Sequence, residues 1–305
     1  MALMVKQKAA ALESRSGQGG GIRIGLVQTR STVGTQDQDP RDDNLSRAID
    51  SIKRLSSNGA QLIAFGEMYL SGYRTDEWLH LWATRVDPPD EHLVSLMNCA
   101  KECNTYVLIG AATFGQFIPG DIYNSVLIIG PEGLVGVYRK SHVCAFPYSD
   151  GLSTERCFYS PGRELPVYDT ALGRIGVHIC YDISFPEVAR VQTLKGAQIL
   201  INCSASHAGF EEWWDRLLPA RAIENMSWYV ICSVVGEQRG DVFFGGSRVV
   251  DPSGNVVASA GSNQEAEVIA DVDLALSRQL RATSHMFSTR QPDLYGTIVE
   301  PTPYP

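Results

Sequence analysis

The chain has 305 residues, 44% of them hydrophobic and 20% charged, enough to bury one large core. A formal net charge of -8 argues against a nucleic-acid or anionic-membrane surface. No apolar run approaches the roughly 20 residues that span a bilayer, so no membrane partner is expected.

Residues 1–21 end in a Ser-Gly-Gln-Gly-Gly-Gly run without apolar period and are expected to form a flexible tail. Those glycines precede a strand, the wrong context for a dinucleotide fingerprint. Residues 22–28 read as the first strand. Residues 44–58 place Leu45, Ala48, Ile49, Ile52 and Leu55 on one helical face. A short buried strand at 61–65, a helix at 91–103 with Leu93, Leu96, Met97 and Ala100 inward, and a strand at 106–110 continue a βαβα rhythm. The rhythm then changes. Two apolar runs, 123–129 and 134–139, are joined by Gly130-Pro-Glu-Gly133 as a hairpin. Beyond them come the strand that ends at Cys180, a helix over 184–195, a strand over 198–202, a helix over 211–225 and a strand over 228–234. A second hairpin joins 246–250 to 256–259, followed by a strand at 267–271, a helix at 273–281 and an irregular tail. Many strands with helices in two groups define an α/β layered sandwich, sheets inside and helices outside. One domain over 22–285 is expected, with 286–305 as a C-terminal tail.

Seven cysteines, an odd number in apolar or helical contexts, fit a reducing compartment and not a disulfide framework. The short apolar start precedes Lys6 and Lys8, the wrong order for a secretory signal, so a cytoplasmic protein is expected. Cys180 stands out among the seven. It ends the apolar run Arg174-Ile-Gly-Val-His-Ile-Cys180, and helix signals follow at once: Ser184 and Glu187 have capping-box spacing, with Pro186 in the first turn. A helix N-terminus there would favour a thiolate and offer N–H groups to an oxyanion. A lone cysteine on an apolar strand also reads as core filler. Two other chemically capable residues sit in like positions, Glu67 directly after a buried strand and Lys140 directly after the hairpin. Ligand sites of open α/β sheets lie outside the carboxyl ends of strands, so the three groups can converge.

Phe65-Gly-Glu67-Met-Tyr-Leu-Ser-Gly-Tyr73, Tyr138-Arg-Lys140-Ser-His142 and Gly176-Val-His-Ile-Cys180-Tyr-Asp-Ile-Ser-Phe-Pro-Glu187 resemble the three signature blocks of the nitrilase (carbon-nitrogen hydrolase) superfamily. The resemblance runs from about Ile22 to about Asp273. It implies a four-layer αββα sandwich that dimerises to αββα-αββα, with the C-terminal tail at the dimer interface, and a Glu-Lys-Cys triad that needs no metal or organic cofactor. Carried over, Glu67 is the general base and acid, Lys140 the positive partner of the oxyanion and Cys180 the nucleophile. Glu155, ahead of Ser160-Pro-Gly162, fits the second glutamate of many members. Tyr73, Tyr181 (through its backbone N–H), His142 and Ser204 are the expected substrate-binding residues, and the pocket floor is expected from loops near Tyr148, Glu155, 204–210 and Trp213.

Cys180-Tyr-Asp182 is similar to the amidase branches, so hydrolysis of a small linear amide through a thioester is the first expectation. An N-carbamoyl amine or N-carbamoyl amino acid is second and a nitrile third. An inactive member acting as a binding module is the non-enzyme alternative. Three bland readings stand beside these. His178, two residues before Cys180, shares its strand face and is a conceivable base. Cys99 and Cys103 have no second pair at zinc spacing. Arg221 and Glu224 read as a structural ion pair on a helix, while Trp213 and Trp214 fit either a pocket wall or a subunit contact.

Overall fold

The structure, a computed structural model, describes residues 21–73, 76–116, 118, 120–145 and 155–301. Apart from Gly21 the expected N-terminal tail lies outside the described residues, as do Tyr148 and the last four positions. The first half runs β1 (Ile22–Gln28), α1 (Arg41–Ser57), β2 (Leu62–Phe65), α2 (Glu91–Glu102), β3 (Tyr106–Phe114), β4 (Ile122–Gly130), β5 (Gly133–Arg139) and α3 (Glu155–Phe158). Next come β6 (Val167–Thr170), β7 (Gly173–Ile179), α4 (Pro186–Leu194), β8 (Ile199–Ser204), α5 (Glu211–Asn225) and β9 (Trp228–Ser233). The last part runs β10 (Val235–Gln238), β11 (Asp241–Phe244), β12 (Arg248–Val250), β13 (Val256–Ser259), β14 (Ala266–Val272) and α6 (Leu274–Ser284).

Two six-stranded mixed sheets face each other. One has the order β14-β1-β2-β3-β4-β5 and the other β13-β12-β9-β8-β7-β6. Each has a parallel centre, β1-β2-β3 in the first and β7-β8-β9 in the second, flanked by antiparallel strands. Central strands buried on both faces read as continuous apolar runs, and Leu-Ile-Ala-Phe of β2 is such a run. Its alternate residues part company: Leu62 and Ala64 enter the layer between the sheets with Ile24, Val177 and Ile201, while Ile63 and Phe65 face the helices. Helices α1 and α2 cover the outer face of the first sheet through Ile52, Leu55, Leu93 and Leu96. Helices α4 and α5 cover the second through Ala189, Trp214, Leu218 and Ala222. At about 1.5–3 kcal/mol for each fully buried aliphatic or aromatic side chain, these three apolar layers are the main stabilising force. The result is an αββα sandwich, as expected.

The hairpin between β4 and β5 closes through Pro131 and Glu132, with Gly133 at φ 117°. Three strands have no counterpart in the sequence reading: β6, β10 and β11. One expected cap is absent. Residues Cys180–Ser184 wind into a 3-10 turn, so Ser184 ends that turn and cannot start the next helix. Helix α4 opens at Pro186 after Phe185, with no side-chain cap, and the Ser184–Glu187 capping box does not form. Among the described residues no helix is long and apolar enough to cross a membrane. Residues 286–301 are exposed apart from the half-buried Phe287 and Arg290, with two short 3-10 turns.

Candidate active site

Three strands from both sheets deliver their next residues to one place. β2 leads into Gly66 and Glu67, β5 into Lys140, and β7 into Cys180. Gly66 lies where the sheets come closest: a Cβ there would sit 2.5 Å from the backbone nitrogen of Val234. Only a residue without a side chain fits. The Glu67 backbone N–H then donates to the Ser204 carbonyl at 3.0 Å, tying the first sheet to β8 of the second.

The Lys140 ammonium donates to Glu67 Oε1 and to Glu155 Oε1, each at 2.8 Å. Asn124 on β4 donates its Nδ2 to the same two oxygens at 2.7 and 3.1 Å. Glu67 Oε2 accepts from the Ala205 N–H at 2.9 Å. Glu155 accepts from the Tyr73 hydroxyl at 2.9 Å and, through Oε2, from the Cys144 N–H at 2.6 Å. Both carboxylates and the ammonium are fully buried, and a buried charge persists only when paired and hydrogen-bonded in this way. Burial pushes the Glu67 carboxyl up to about 7, against the pull of Lys140, and the charge of Glu155 pushes it further. Burial alone would lower the Lys140 ammonium, but the charges of Glu155 and Glu67 outweigh it and hold it well above the usual lysine value.

Cys180 occupies the left-handed region at φ 40°, uncommon for a side-chain-bearing residue, at the corner between β7 and the 3-10 turn. Asn202 on β8 clamps that corner: its Oδ1 accepts from the Cys180 N–H at 2.9 Å and its Nδ2 donates to the Cys180 carbonyl at 3.2 Å. Asp182 holds it from the other side. Its Oδ2 accepts from the Ile179 N–H and the Tyr138 hydroxyl at 3.0 and 2.7 Å. Its Oδ1 takes the Ser141 hydroxyl at 2.8 Å and the His142 N–H at 3.0 Å. The turn that carries Cys180 and the loop that follows Lys140 are thereby fastened to one carboxylate. The expectation of a lowered thiol pKa is reversed. Burial and the charge of Glu67 push the Cys180 thiol well above its ordinary value, and Lys140 with the Ser204 hydroxyl offset this only in part.

Above the sulfur opens a cavity of about 580 Å³ whose walls include Tyr73, Lys140, Tyr181, His207, Trp213 and Asp241. Of the expected substrate contacts, Tyr73 and Tyr181 line it. Two others stand off its walls. His142 bonds Asp182 Oδ1 through Nδ1 at 2.9 Å and stacks on Phe185 with ring centroids 3.7 Å apart. Ser204 is buried behind the wall, its hydroxyl 2.9 Å from that of Ser206. His178 does not face Cys180, because the chain leaves the strand before the cysteine and strand parity no longer applies. Its ring nitrogens meet Gln192 and Tyr229, each at 2.8 Å, and burial lowers it to about 4. Arg221 donates its Nε to the Ile183 carbonyl at 2.9 Å besides pairing with Glu224, and so braces the turn that carries Cys180. Asn124, Asp182 and Asn202 were missed in the sequence. The available signal was an amide inside each of the apolar strands β4 and β8, since a buried amide must find partners.

The chain matches known proteins over most of its length. A family model described as carbon-nitrogen hydrolase matches residues 23–282. The chain is 33% identical over 280 residues to a nitrilase of Pyrococcus abyssi, covering 90% of this chain and 99% of that one. It is 31% identical over 279 residues to the omega-amidase NIT2 of Bos taurus, covering 90% and 96%. In structure it is similar to Saccharomyces cerevisiae Nit3, a member of branch 10 of the nitrilase superfamily, with a TM-score of 0.77, 28% identity and coverage of 90% and 97%. The fold and the relatives define an amidase-type hydrolase. The chain belongs to the carbon-nitrogen hydrolase family, within the nitrilase superfamily.

Proposed function

We propose that this enzyme hydrolyses a small amide to a carboxylate and ammonia by way of a thioester on Cys180. The observation that carries the reading is a buried Lys140 held at 2.8 Å by both Glu67 and Glu155, on the floor of the cavity that holds Cys180. An amide carbonyl needs a strong nucleophile, a positive group at the developing oxyanion and an acid for the leaving amine. The ionised Glu67 takes the Cys180 proton as the sulfur attacks the carbonyl carbon. Lys140 and the Tyr181 backbone N–H hold the oxyanion, and Glu67 returns the proton to the nitrogen as the carbon-nitrogen bond breaks. Water, deprotonated by Glu67, then attacks the thioester, releasing the carboxylate and restoring the thiol. Glu155 keeps Lys140 charged and in place. A high thiol pKa suits this course, because the proton moves to a base poised near neutrality at the moment of attack.

The names of the relatives, nitrilase and omega-amidase, keep the reading at the level of the carbon-nitrogen bond. The test is ammonia release from primary amides, N-carbamoyl amines, N-carbamoyl amino acids and nitriles, with the Cys180→Ala protein as control. Release from amides, abolished in the variant, is expected. Release confined to carbamoyl compounds or nitriles, or turnover retained without the sulfur, overturns the proposal.

A further inference from the structure

Helix α5 begins with two neighbouring tryptophans that part company. Trp214, Leu218 and Ala222 fall at i, i+4 and i+8 and pack into the apolar layer on the second sheet. Trp213 lies one position out of that stripe and stays 49% exposed. Phe210, three residues before it, is 46% exposed, and the two rings lie with centroids 6.2 Å apart. Among the described residues no other phenylalanine or tryptophan is as open to solvent. Both stand at the cavity that holds Cys180 and line it.

The surroundings hold this pair in place and continue its character. The Phe210 carbonyl accepts from the N–H groups of Trp213 and Trp214 at 3.0 and 3.2 Å, which fixes both residues on the first turn. The Ala208 N–H donates to the Val242 carbonyl at 2.8 Å, joining the loop before α5 to the hairpin β10–β11 in one continuous wall. Val242 is 47% exposed and lines the cavity with Ala208 and Ile183. Lys140 is the one lysine or arginine among the described lining residues, and its ammonium is already held by Glu67 and Glu155 on the floor. Ligand sites of about 300–1,000 Å³ enclose molecules of drug size. A cavity of about 580 Å³ therefore has room well beyond an amide group and its nearest carbons. An apolar group that leaves water for this wall is stabilised by its burial, and a ring gains further from contact with the indole. A carboxylate in the same place would shed its hydration without an unpaired lysine or arginine among the described lining residues to receive it.

We propose, resting on the amide-hydrolase reading above, that Phe210 and Trp213 select the acyl group of the substrate. The preferred amide has an acyl chain that ends in an uncharged aromatic ring, seated against these two side chains.

Four amides separate the possibilities: 3-phenylpropanamide, propanamide, 5-aminopentanamide and the monoamide of glutaric acid. Ammonia release should give the highest kcat/KM for 3-phenylpropanamide, about thirtyfold above propanamide, with both charged amides below it. Trp213→Ala should cut the ratio of 3-phenylpropanamide to propanamide about tenfold, and Trp213→Phe should restore most of it. The ratio compares two substrates in one preparation, so it does not depend on the folded fraction. The same compounds titrated calorimetrically into Cys180→Ala protein read the preference without turnover. Tightest binding of 3-phenylpropanamide with no ammonia from any compound would support the assignment and sink only the hydrolysis reading. Three results overturn the assignment: a charged amide hydrolysed or bound at least as well as 3-phenylpropanamide, binding of none of the four, or a ratio unmoved by Trp213→Ala, which a wall serving only a subunit contact would give.

Discussion

In the proposed mechanism Glu67 is the residue on which the pH behaviour turns. Its carboxyl, raised to about 7 by burial against the pull of Lys140, has to be ionised to accept the thiol proton. The sign follows directly: below that value Glu67 is protonated, the base is lost and kcat/KM falls tenfold per pH unit. The inflection belongs to the Glu67–Lys140–Glu155 cluster as a unit. A pH profile of kcat/KM in the wild-type protein should bend near neutrality, and a profile flat down to the ordinary carboxylate range near pH 4.5 would remove Glu67 from this role. At this scale the sequence was most informative about the groups that end strands. Glu67, Lys140 and Cys180 each follow an apolar run, and the fold brings them to one floor. It was least informative about their holders. Nothing local marks Asp182 as the group that gathers Ile179, Tyr138, Ser141 and His142, because its partners lie up to 44 positions away.

Among the elements, the corner after β2 carries the tightest constraint. An added methyl group at Gly66 meets Val234, just after β9 of the other sheet, both its backbone nitrogen and its side chain, at 2.5 and 2.6 Å. The collision would displace the neighbouring Glu67, and misplacing a catalytic group by about 1 Å costs about a hundredfold. Gly66→Ala should therefore lower kcat by about that factor in protein whose circular dichroism remains native; undiminished turnover would show that the corner tolerates movement. Strands with strong apolar runs and helices with clean faces were legible in the sequence, β1 and α5 to the residue. The hairpin β10–β11 was not. Its turn is Arg239-Gly240 in place of the Asn-Gly or Asp-Gly pair that announces such turns, and Arg239 carries a left-handed backbone that side chains disfavour. Its strands of four residues each are too short and too mixed for a periodic signal. The missing capping box has a similar origin: Ser184 has the right spacing, but the turn that presents Cys180 uses it first.

For the molecule as a whole, the sandwich leaves apolar groups on the outer layer of the second sheet. Leu194 at the end of α4 and Ile223 on α5 are 45% and 48% exposed, and Val256 and Val257 on β13 are 51% and 48% exposed. With the resemblance to a family whose sandwiches pair as αββα-αββα, this leads us to propose a dimer or a higher multiple of this chain. Light scattering at working concentration should give at least twice the 33.4 kDa of the chain, and a monomer would exclude the pairing.

The two-stranded hairpin hydrogen-bonds into neither six-stranded sheet, yet it supplies Gly240, Asp241 and Val242 to the cavity. Glu67, Lys140 and Cys180, the groups proposed to break the bond, follow strands of both sheets and are held by a shared hydrogen-bond network. Phe243 and Phe244 anchor the hairpin in the apolar layers, while its turn at Arg239 and Gly240 stands outside the ladders of both sheets. Exchanging this turn between relatives would rewrite part of the cavity wall while leaving Glu67, Lys140 and Cys180 on strands of the sandwich that it does not join.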